Sequence, residues 1–565
     1  MTHPSRSGGQ ILVDALRIHG VDTAFGVPGE SYLDVLDALH GSAIEFVINR
    51  QEGGAAFMAE AYGKMTGKPG ICFVTRGPGA TNAAIGVHTA YQDSTPMILF
   101  VGQVGLDFMD REAFQEIDYR RMYGQMAKWV AQIDRAERIP EYIARAFQVA
   151  TSGRPGPVVL ALPEDMLVTR AAVANTGAYQ AVQASPAAAQ IDQLRAMLAA
   201  AKRPLLLLGG ATWTAQACAD VRRFAEANAL PVACAFRFQD LFDNGHRQYI
   251  GDVGIGINPQ LAARVRQADL IIAFGPRLGE MTTSGYTLIE APVPRQQLIH
   301  IHPDPLELGS VYQAALLIAS GAPQAAAMLA AMPAVDATAW QQTAADGRAQ
   351  LQAWQRQPPI FQDGSAALDL WQLVQQLQAA LPADAIITNG AGNYATWAHR
   401  FYQYGPMRTQ LAPTSGAMGY GVPAGIAAKI IDPARTVVTF AGDGEFMMNG
   451  QELATAVQYQ AGVIIIVFNN SMFGTIRMHQ EKNYPGRVCG TALHNPDFAA
   501  LAQAYGAAGE VVSETAQFGP ALARALAHTR EHALPALIEL RYDGNLITPG
   551  ATLDAIRAAA EQARG

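Results

Sequence analysis

Cysteine is scarce: Cys72, Cys218, Cys234 and Cys489 are the only four in 565 residues, and no two form a C-x-x-C pair. That scatter argues against both a disulfide framework and a zinc site. No apolar run reaches the ~20 residues of a membrane span, and the best ones, 463–468 and 205–208, are strand-sized. Residues 1–10 are polar and lack the hydrophobic segment of a secretory signal. Basic charge is not in excess either. The 40 Lys+Arg face 48 Asp+Glu for a net charge of −8, so the cation clusters that displace counterions from nucleic acid are missing. These absences lead us to expect a cytoplasmic chain with neither nucleic acid nor membrane as partner. Phosphate ligands stay open, because metal ions and backbone N–H groups also hold them.

Half of the residues are apolar and 16% are charged, and at roughly 150 residues per domain the length suggests three or four domains. Short β-rich apolar runs alternate with Ala-rich helical stretches, the pattern of parallel α/β sheets. Three blocks separate, with bounds expected at 1–168, 190–334 and 365–550 and a short helical tail at 551–565. Strands are expected at 23–26, 45–49, 71–75, 97–101 and 158–161, then at 203–210, 231–235, 270–274 and 298–301. The third block adds 385–388, 436–440, 463–469 and 536–540. Segments 169–190 and 335–364, rich in Ala, Gln and Ser or in Gln and Pro, read as linkers. The first and third blocks echo each other. A Gly/Ala-rich helix (53–65; 416–430) leads to a strand, and then a glycine-flanked turn (Gly77-Pro78-Gly79; Gly442-Asp443-Gly444) opens another helix. That shared order suggests duplication, although any two doubly wound sheets share some of it.

The most informative segment is a buried strand that runs into Gly442-Asp443-Gly444-Glu445. A helix expected at 445–456 follows, and a second buried strand ends in Asn469-Asn470, 27 residues after Asp443. Ligands of open parallel sheets sit beyond the carboxyl ends of the strands. One carboxylate, one amide oxygen and a loop carbonyl, completed by phosphate oxygens, suit Mg²⁺ or Ca²⁺. The glycines let phosphates approach the backbone. Gly-Asp-Gly alone is most often an N-cap in a β–α turn, but the spaced Asn-Asn at a strand end makes the pair specific. A second segment, Asn49-Arg50-Gln51-Glu52-Gly53-Gly54-Ala55-Ala56, puts a glutamate between a strand and a helix of small residues. In such a dry setting a carboxyl tends to hold its proton; a helix N-terminal Glu stabilised by the dipole is the plainer alternative.

Together these segments resemble the thiamine-diphosphate enzyme superfamily along nearly the whole chain. Within it the sequence looks most like the acetolactate synthase and pyruvate oxidase group, with benzaldehyde lyase more distant. The resemblance implies three doubly wound parallel α/β domains: a pyrimidine-binding and a diphosphate-binding domain of similar fold, flanking a Rossmann-like central one. It implies Mg²⁺ held by the side chains of Asp443 and Asn470 and the main-chain oxygen of Met472. Gly392, Asn393, Gly442, Gly444, Glu445, Phe473 and Gly474 would line the diphosphate. Met418 would wedge beneath the cofactor and Gly416 would accept from its pyrimidine amino group. Glu52 would hydrogen-bond the pyrimidine ring and promote loss of the thiazolium proton. Gln115 would approach the intermediate. Active sites would form between two subunits of a homodimer or homotetramer.

Two departures touch the substrate. Met281 stands where acetolactate synthases carry an acceptor-binding arginine, with Arg277 matching an earlier one. His479 replaces a tryptophan and offers a titratable catalytic group near the cofactor. Losing a bidentate carboxylate partner weakens selection for an acidic acceptor. The expected activity is cleavage or formation of a carbon–carbon bond beside a carbonyl, foremost 2-oxoacid decarboxylation with carboligation. A lyase acting on a ketol, a simple decarboxylase, a flavin-linked oxidase and a non-catalytic subunit are the alternatives. Relatives use the central domain for FAD or ADP in some cases. No G-x-G-x-x-G is present there, so an occupied site and a bare scaffold both stay open.

Overall fold

The computed structural model describes residues 3–564 except Asp363, Ser365 and Pro406, so the expected bounds at Met1, Ser365 and Gly565 lie outside the described residues. Helices and parallel strands alternate to build three six-stranded sheets, and the chain divides into two units.

The first unit comprises 1–182, 413–433 and 449–461. Its sheet contains β1 (Thr23–Gly26), β2 (Glu45–Ile48), β3 (Gly70–Val74), β4 (Met97–Gln103), β5 (Trp129–Gln132) and β6 (Pro157–Pro163) in the spatial order β2-β1-β3-β4-β6-β5. Every residue of β3, β4 and β6 is buried. Such strands carry apolar residues on both faces because helices cover both faces. Helix α1 (Glu52–Thr66) begins where Gln51 accepts from the Gly54 N–H, and it ends in left-handed Gly67. Helix α2 (Gly77–Asp93) follows β3, and Phe57 of α1 meets Tyr420 edge-on just before α3 (Gly421–Ile431). A buried polar knot ties these helices: Glu60 accepts from Thr95 Oγ1 at 2.7 Å and Tyr420 OH at 2.6 Å, beside Lys64 at 3.2 Å. Burial pushes the Glu60 carboxyl above its ordinary range, with Lys64 opposing.

The second unit comprises 183–412, 434–448 and 462–565 and holds two sheets. The central one contains β7 (Pro204–Leu208), β8 (Val232–Cys234), β9 (Tyr249–Asp252), β10 (Leu270–Phe274), β11 (Gln297–His302) and β12 (Leu316–Ala319), ordered β9-β8-β7-β10-β11-β12. This is the Rossmann-type order. The third contains β13 (Ile386–Asn389), β14 (Gln410–Leu411), β15 (Val437–Gly442), β16 (Ile464–Asn469), β17 (Ala508–Val512) and β18 (Ala536–Arg541), ordered β14-β13-β15-β16-β18-β17. Numbered from its own first strand, it repeats the order of the first sheet, so the two blocks that echo each other in sequence share one fold. A polar seam joins the central and third sheets. Asp240 accepts from the N–H groups of Arg408, Thr409 and Gln410, and Arg237 donates to Gly390 O at 2.8 Å.

Several expectations need correction. The helix expected at 445–456 is two: α4 (Asp443–Asn449) and α5 (Leu453–Gln458), separated by a 3₁₀ turn at Gly450–Glu452. Asn449 breaks it by donating its side-chain N–H to Gly419 O. The helix expected from 416 starts only at Gly421, because Gly416 and Gly419 take φ of 68° and 83°, which a helix does not allow. The linker expected at 335–364 contains a helix, Gln341–Trp354, that buries Ala344, Gly347 and Leu351 along one side. In the other linker, Arg170–Ala171 pairs antiparallel with Arg6–Ser7, and a helix starts at Ala188.

Candidate active site

In the first unit, Glu52 opens α1 directly after the β2 strand and its loop. Its carboxylate accepts from Asn82 Nδ2 of α2 at 2.9 Å and is half-buried, so the dry setting expected for it is only partly formed within one chain. Gly79 sits opposite: a Cβ there would stand 3.2 Å from Glu52 Oε1. The Gln115 loop reaches the same corner, because Gly77 N–H donates to Gln115 O at 2.9 Å. Gln115 holds a left-handed φ of 66°, a strained state for a residue with a Cβ. Gly416 is exposed with open space where a Cβ would lie, and Met418 is half-buried. Lys128 donates to Val149 O and Ser152 O at the end of the Ile139–Thr151 helix. Arg76 pairs with Glu30 and Glu164 at 3.4 and 3.0 Å.

In the second unit, β15 and β16 are neighbours with Gly442 paired to Phe468, so Asp443 and Asn470 emerge side by side beyond the carboxyl ends. Asp443 Oδ1 accepts from Gly444 N–H at 2.9 Å and Oδ2 from Asn495 Nδ2 at 2.7 Å. The Ser471 N–H donates to the neighbouring Asn469 Oδ1 at 3.2 Å. Burial, the larger effect, still leaves the Asp443 pKa raised. Asn495 also donates to Asn469 Oδ1 at 2.9 Å. Ser471, between Asn470 and Met472, holds a left-handed φ of 56°. Strain of this kind persists only where the surroundings enforce it.

The glycines form a cradle without spare room. A Cβ on Gly444 would meet Phe473 at 2.5 Å; on Gly474, Ile547 at 2.8 Å and Asn470 Nδ2 at 3.1 Å; on Gly442, the Tyr394 ring at 3.0 Å. Glu445 is buried and accepts from Tyr394 OH, which also receives Gly390 N–H at 3.1 Å. Helix α6 (Gly474–Asn483) docks on the other glycine loop. Thr475 Oγ1 exchanges hydrogen bonds with the Asn393 backbone N–H and Oδ1, both at 3.0 Å, and Asn393 Nδ2 reaches Met478 Sδ at 3.4 Å. His479 follows Met478 and is exposed. A cavity of about 300 Å³ opens beside Asn393 and Met478, lined also by His399, Gln239 and Asp252. Burial pushes the Asp252 carboxyl up to about 7.

Among the described residues no group of three or more His, Cys, Asp or Glu side chains gathers around a metal site. The Asp443, Asn470 and Met472 set is of another kind. It is all oxygen with a single carboxylate, which fits a hard divalent ion completed by phosphate and water.

Three family models cover most of this architecture. They describe a thiamine pyrophosphate enzyme's N-terminal TPP-binding domain (residues 6–122), its central domain (191–329) and its C-terminal TPP-binding domain (390–540). The chain belongs to the thiamine pyrophosphate enzymes. It is 33% identical over 553 residues to acetolactate synthase isozyme 2 large subunit of Escherichia coli (strain K12), which spans 97% of this chain and 98% of that one. Acetolactate synthase of Arthrospira platensis is 33% identical over 545 residues, 92% of each chain. Acetolactate synthase large subunit of Haemophilus influenzae (strain ATCC 51907 / DSM 11121 / KW20 / Rd) is 31% identical over 514 residues, 89% of each. This family member is therefore a thiamine-diphosphate-dependent enzyme of the decarboxylating and carboligating kind.

Sequence reasoning missed the residues that hold the candidate groups in place: Asn82 on Glu52, Asn495 on Asp443, and Tyr394 on Glu445. Only the Asn495-Pro496 turn signal hints at one of them.

Proposed function

We propose that the enzyme decarboxylates a 2-oxoacid with Mg²⁺ and thiamine diphosphate and delivers the resulting acyl unit to a carbonyl acceptor or a proton. The adjacent placement of Asp443 and Asn470 at one glycine-lined sheet end supports this reading. In it, Asp443 and Asn470 hold Mg²⁺ by their side chains and Met472 by its main-chain oxygen. Gly392, Asn393, Gly442, Gly444, Glu445, Phe473 and Gly474 surround the diphosphate. Thiamine diphosphate held there would supply a nucleophilic carbon and an electron sink for decarboxylation. Glu52 exchanges a proton with the aminopyrimidine nitrogen, and Asn82 fixes the carboxylate for that task. Met418 would lie against the cofactor, the Gly416 carbonyl would accept from the pyrimidine amino group, and Gln115 and His479 would serve the reacting carbon.

The domain bounds that accompany this reading are 1–168, 190–334 and 365–550, with a tail at 551–565. The active site is shared between two subunits of a homodimer or a tetramer of dimers, acting in the cytoplasm. An acceptor without a carboxylate suits the two positions that the resemblance compares with acceptor-binding arginines. Arg277 pairs with Glu307 at 3.2 Å and Met281 carries no charge. The roughly 300 Å³ cavity beside Asn393 is within the size range of small-molecule pockets. No step requires FAD or ADP, and the central domain serves this reading as a scaffold.

The test supplies Mg²⁺, thiamine diphosphate and a panel of 2-oxoacids, with and without aldehydes. CO₂ release with aldehyde-dependent ketol formation is expected. CO₂ release indifferent to aldehyde would reduce the enzyme to a decarboxylase, and ketol cleavage without any 2-oxoacid turnover would make it a lyase.

A further inference from the structure

The loop that presents Glu52 is not held by its own sheet alone. Residues 49–51 are gripped by one carboxylate, that of Glu452, at the end of the 3₁₀ turn before α5. Its Oε1 accepts the backbone N–H of Arg50 at 3.0 Å and of Gln51 at 3.1 Å. Its Oε2 accepts Asn49 Nδ2 at 3.2 Å and Thr455 Oγ1 at 2.6 Å. Glu452 is fully buried. Four donors converge on one carboxyl group, so the site is built for an acceptor-only side chain. Gly54 leaves the room: a Cβ there would stand 2.7 Å from Glu452 Oε1.

The grip extends along the edge strand. Tyr459 OH takes the Ile48 N–H at 2.7 Å and donates to Phe46 O at 3.1 Å, and Arg50 reaches Gln458 Oε1 at 2.6 Å. β2 is an edge strand, whose open side would otherwise leave its chain and the following loop free to move. Gln51, once fixed, caps α1 through the Gly54 N–H at 3.1 Å, and Glu52 is the next residue.

We propose that Glu452 is a positioning residue: its carboxylate sets the loop geometry that aims Glu52 at the cofactor pyrimidine. This rests on the role given to Glu52 above. Glu452→Gln keeps the shape but replaces the charged acceptor of the Arg50 and Gln51 N–H groups by a neutral amide, which weakens both bonds whichever way the amide lies. Gly54→Ala disturbs the same anchor from the loop side and leaves Glu452 intact.

Two readouts test it. In cofactor-free protein, amide exchange of Arg50 and Gln51 reports the anchor alone, and Glu452→Gln should speed it by about tenfold or more. In the Mg²⁺–thiamine diphosphate holoenzyme, exchange of the thiazolium C2 proton for deuterium reports the aim of Glu52. It should slow by about tenfold in Glu452→Gln and less in Gly54→Ala, with cofactor affinity changed less than about threefold. Adding Glu452→Gln to Glu52→Gln should cost nothing further, as for residues that act as one unit. Unchanged C2 exchange in Glu452→Gln, alongside its loss in Glu52→Gln, overturns the proposal, as does unchanged amide protection. If Glu52→Gln itself leaves C2 exchange intact, the role of Glu52 is wrong and the functional half of the proposal falls with it. The amide measurement still decides whether Glu452 holds the loop.

Discussion

At the scale of single residues, the chemistry depends on which polar atoms are already engaged. Asn82 occupies one oxygen of Glu52 and leaves the other for a ring nitrogen. Glu52→Gln should retain thiamine diphosphate but lower turnover by about 10²-fold or more, as for loss of a positioned proton-transfer group; steady-state kinetics at saturating cofactor checks it. Asn495 spans Asp443 and Asn469 at 2.7 and 2.9 Å, so in the proposed site it would orient Asp443 toward Mg²⁺. Asn495→Ala should raise the Mg²⁺ concentration needed for half-maximal activity by about 10-fold or more, as for lost ligand-orienting partners, with kcat at saturating Mg²⁺ little changed. A Mg²⁺ titration that does not move would remove Asn495 from the site. The two groups differed in how far the sequence exposes them. Asp443 and Asn470 stand at a fixed separation at two strand ends, which a one-dimensional pattern records. Asn495 comes to Asp443 across 52 residues and Glu452 to Gln51 across 401, by way of loops whose paths no local periodicity encodes.

At the scale of elements, burial decides what a sequence reveals. The strands in the middle of each sheet are covered on both faces, and their runs are continuously apolar, as in 464–468 and 98–101. Within the three six-stranded sheets, the strands that escape a reading of the sequence are β5, β9, β12, β14 and β17, and each is a sheet edge. They are short or half-exposed: β14 has two residues, and four of the five in β17 are only partly buried. One face toward water dilutes the apolar signal to the level of a loop. The C-terminal helix Leu553–Gln562 was legible, but its anchor was not. Arg557 binds the buried Glu481 of α6 through two nitrogens at 2.8 and 2.7 Å, and Arg477 joins from the helix itself at 3.0 Å. These partners hold the Glu481 pKa down from 4.5 to about 2. A depressed carboxylate pKa contributes stability that is present above 4.5 and lost as pH falls toward 2. Amide exchange across 553–562 should therefore accelerate as the pH falls through that window. Arg557→Ala should produce the same loosening at neutral pH and cost about 1–2 kcal/mol, the worth of charge-assisted hydrogen bonds at a partly exposed site.

At the scale of the whole molecule, Glu52 and Asp443 fall in separate units of the chain, 1–182 with its two inserted segments and 183–565 without them. The shared-site reading assigns each active site one half from each of two chains. A chain with Glu52→Gln lacks a working pyrimidine half but keeps its metal half; a chain with Asp443→Ala has the reverse defect. Each alone should be inactive in the same ketol assay. Mixed dimers bring an intact Glu52 from one chain to an intact Asp443 from the other, which makes one good site and one doubly damaged site. Random pairing makes half the dimers mixed, so co-expression should restore about a quarter of the wild-type activity per total protein. Separately tagged chains, purified through both tags in turn, should carry about half of wild-type activity, since every dimer then has one working site. If each chain builds its own site, doubly tagged dimers contain no chain with both residues and stay inactive. Activity restored there, with none in either singly tagged homodimer, identifies the dimer as the smallest catalytic unit.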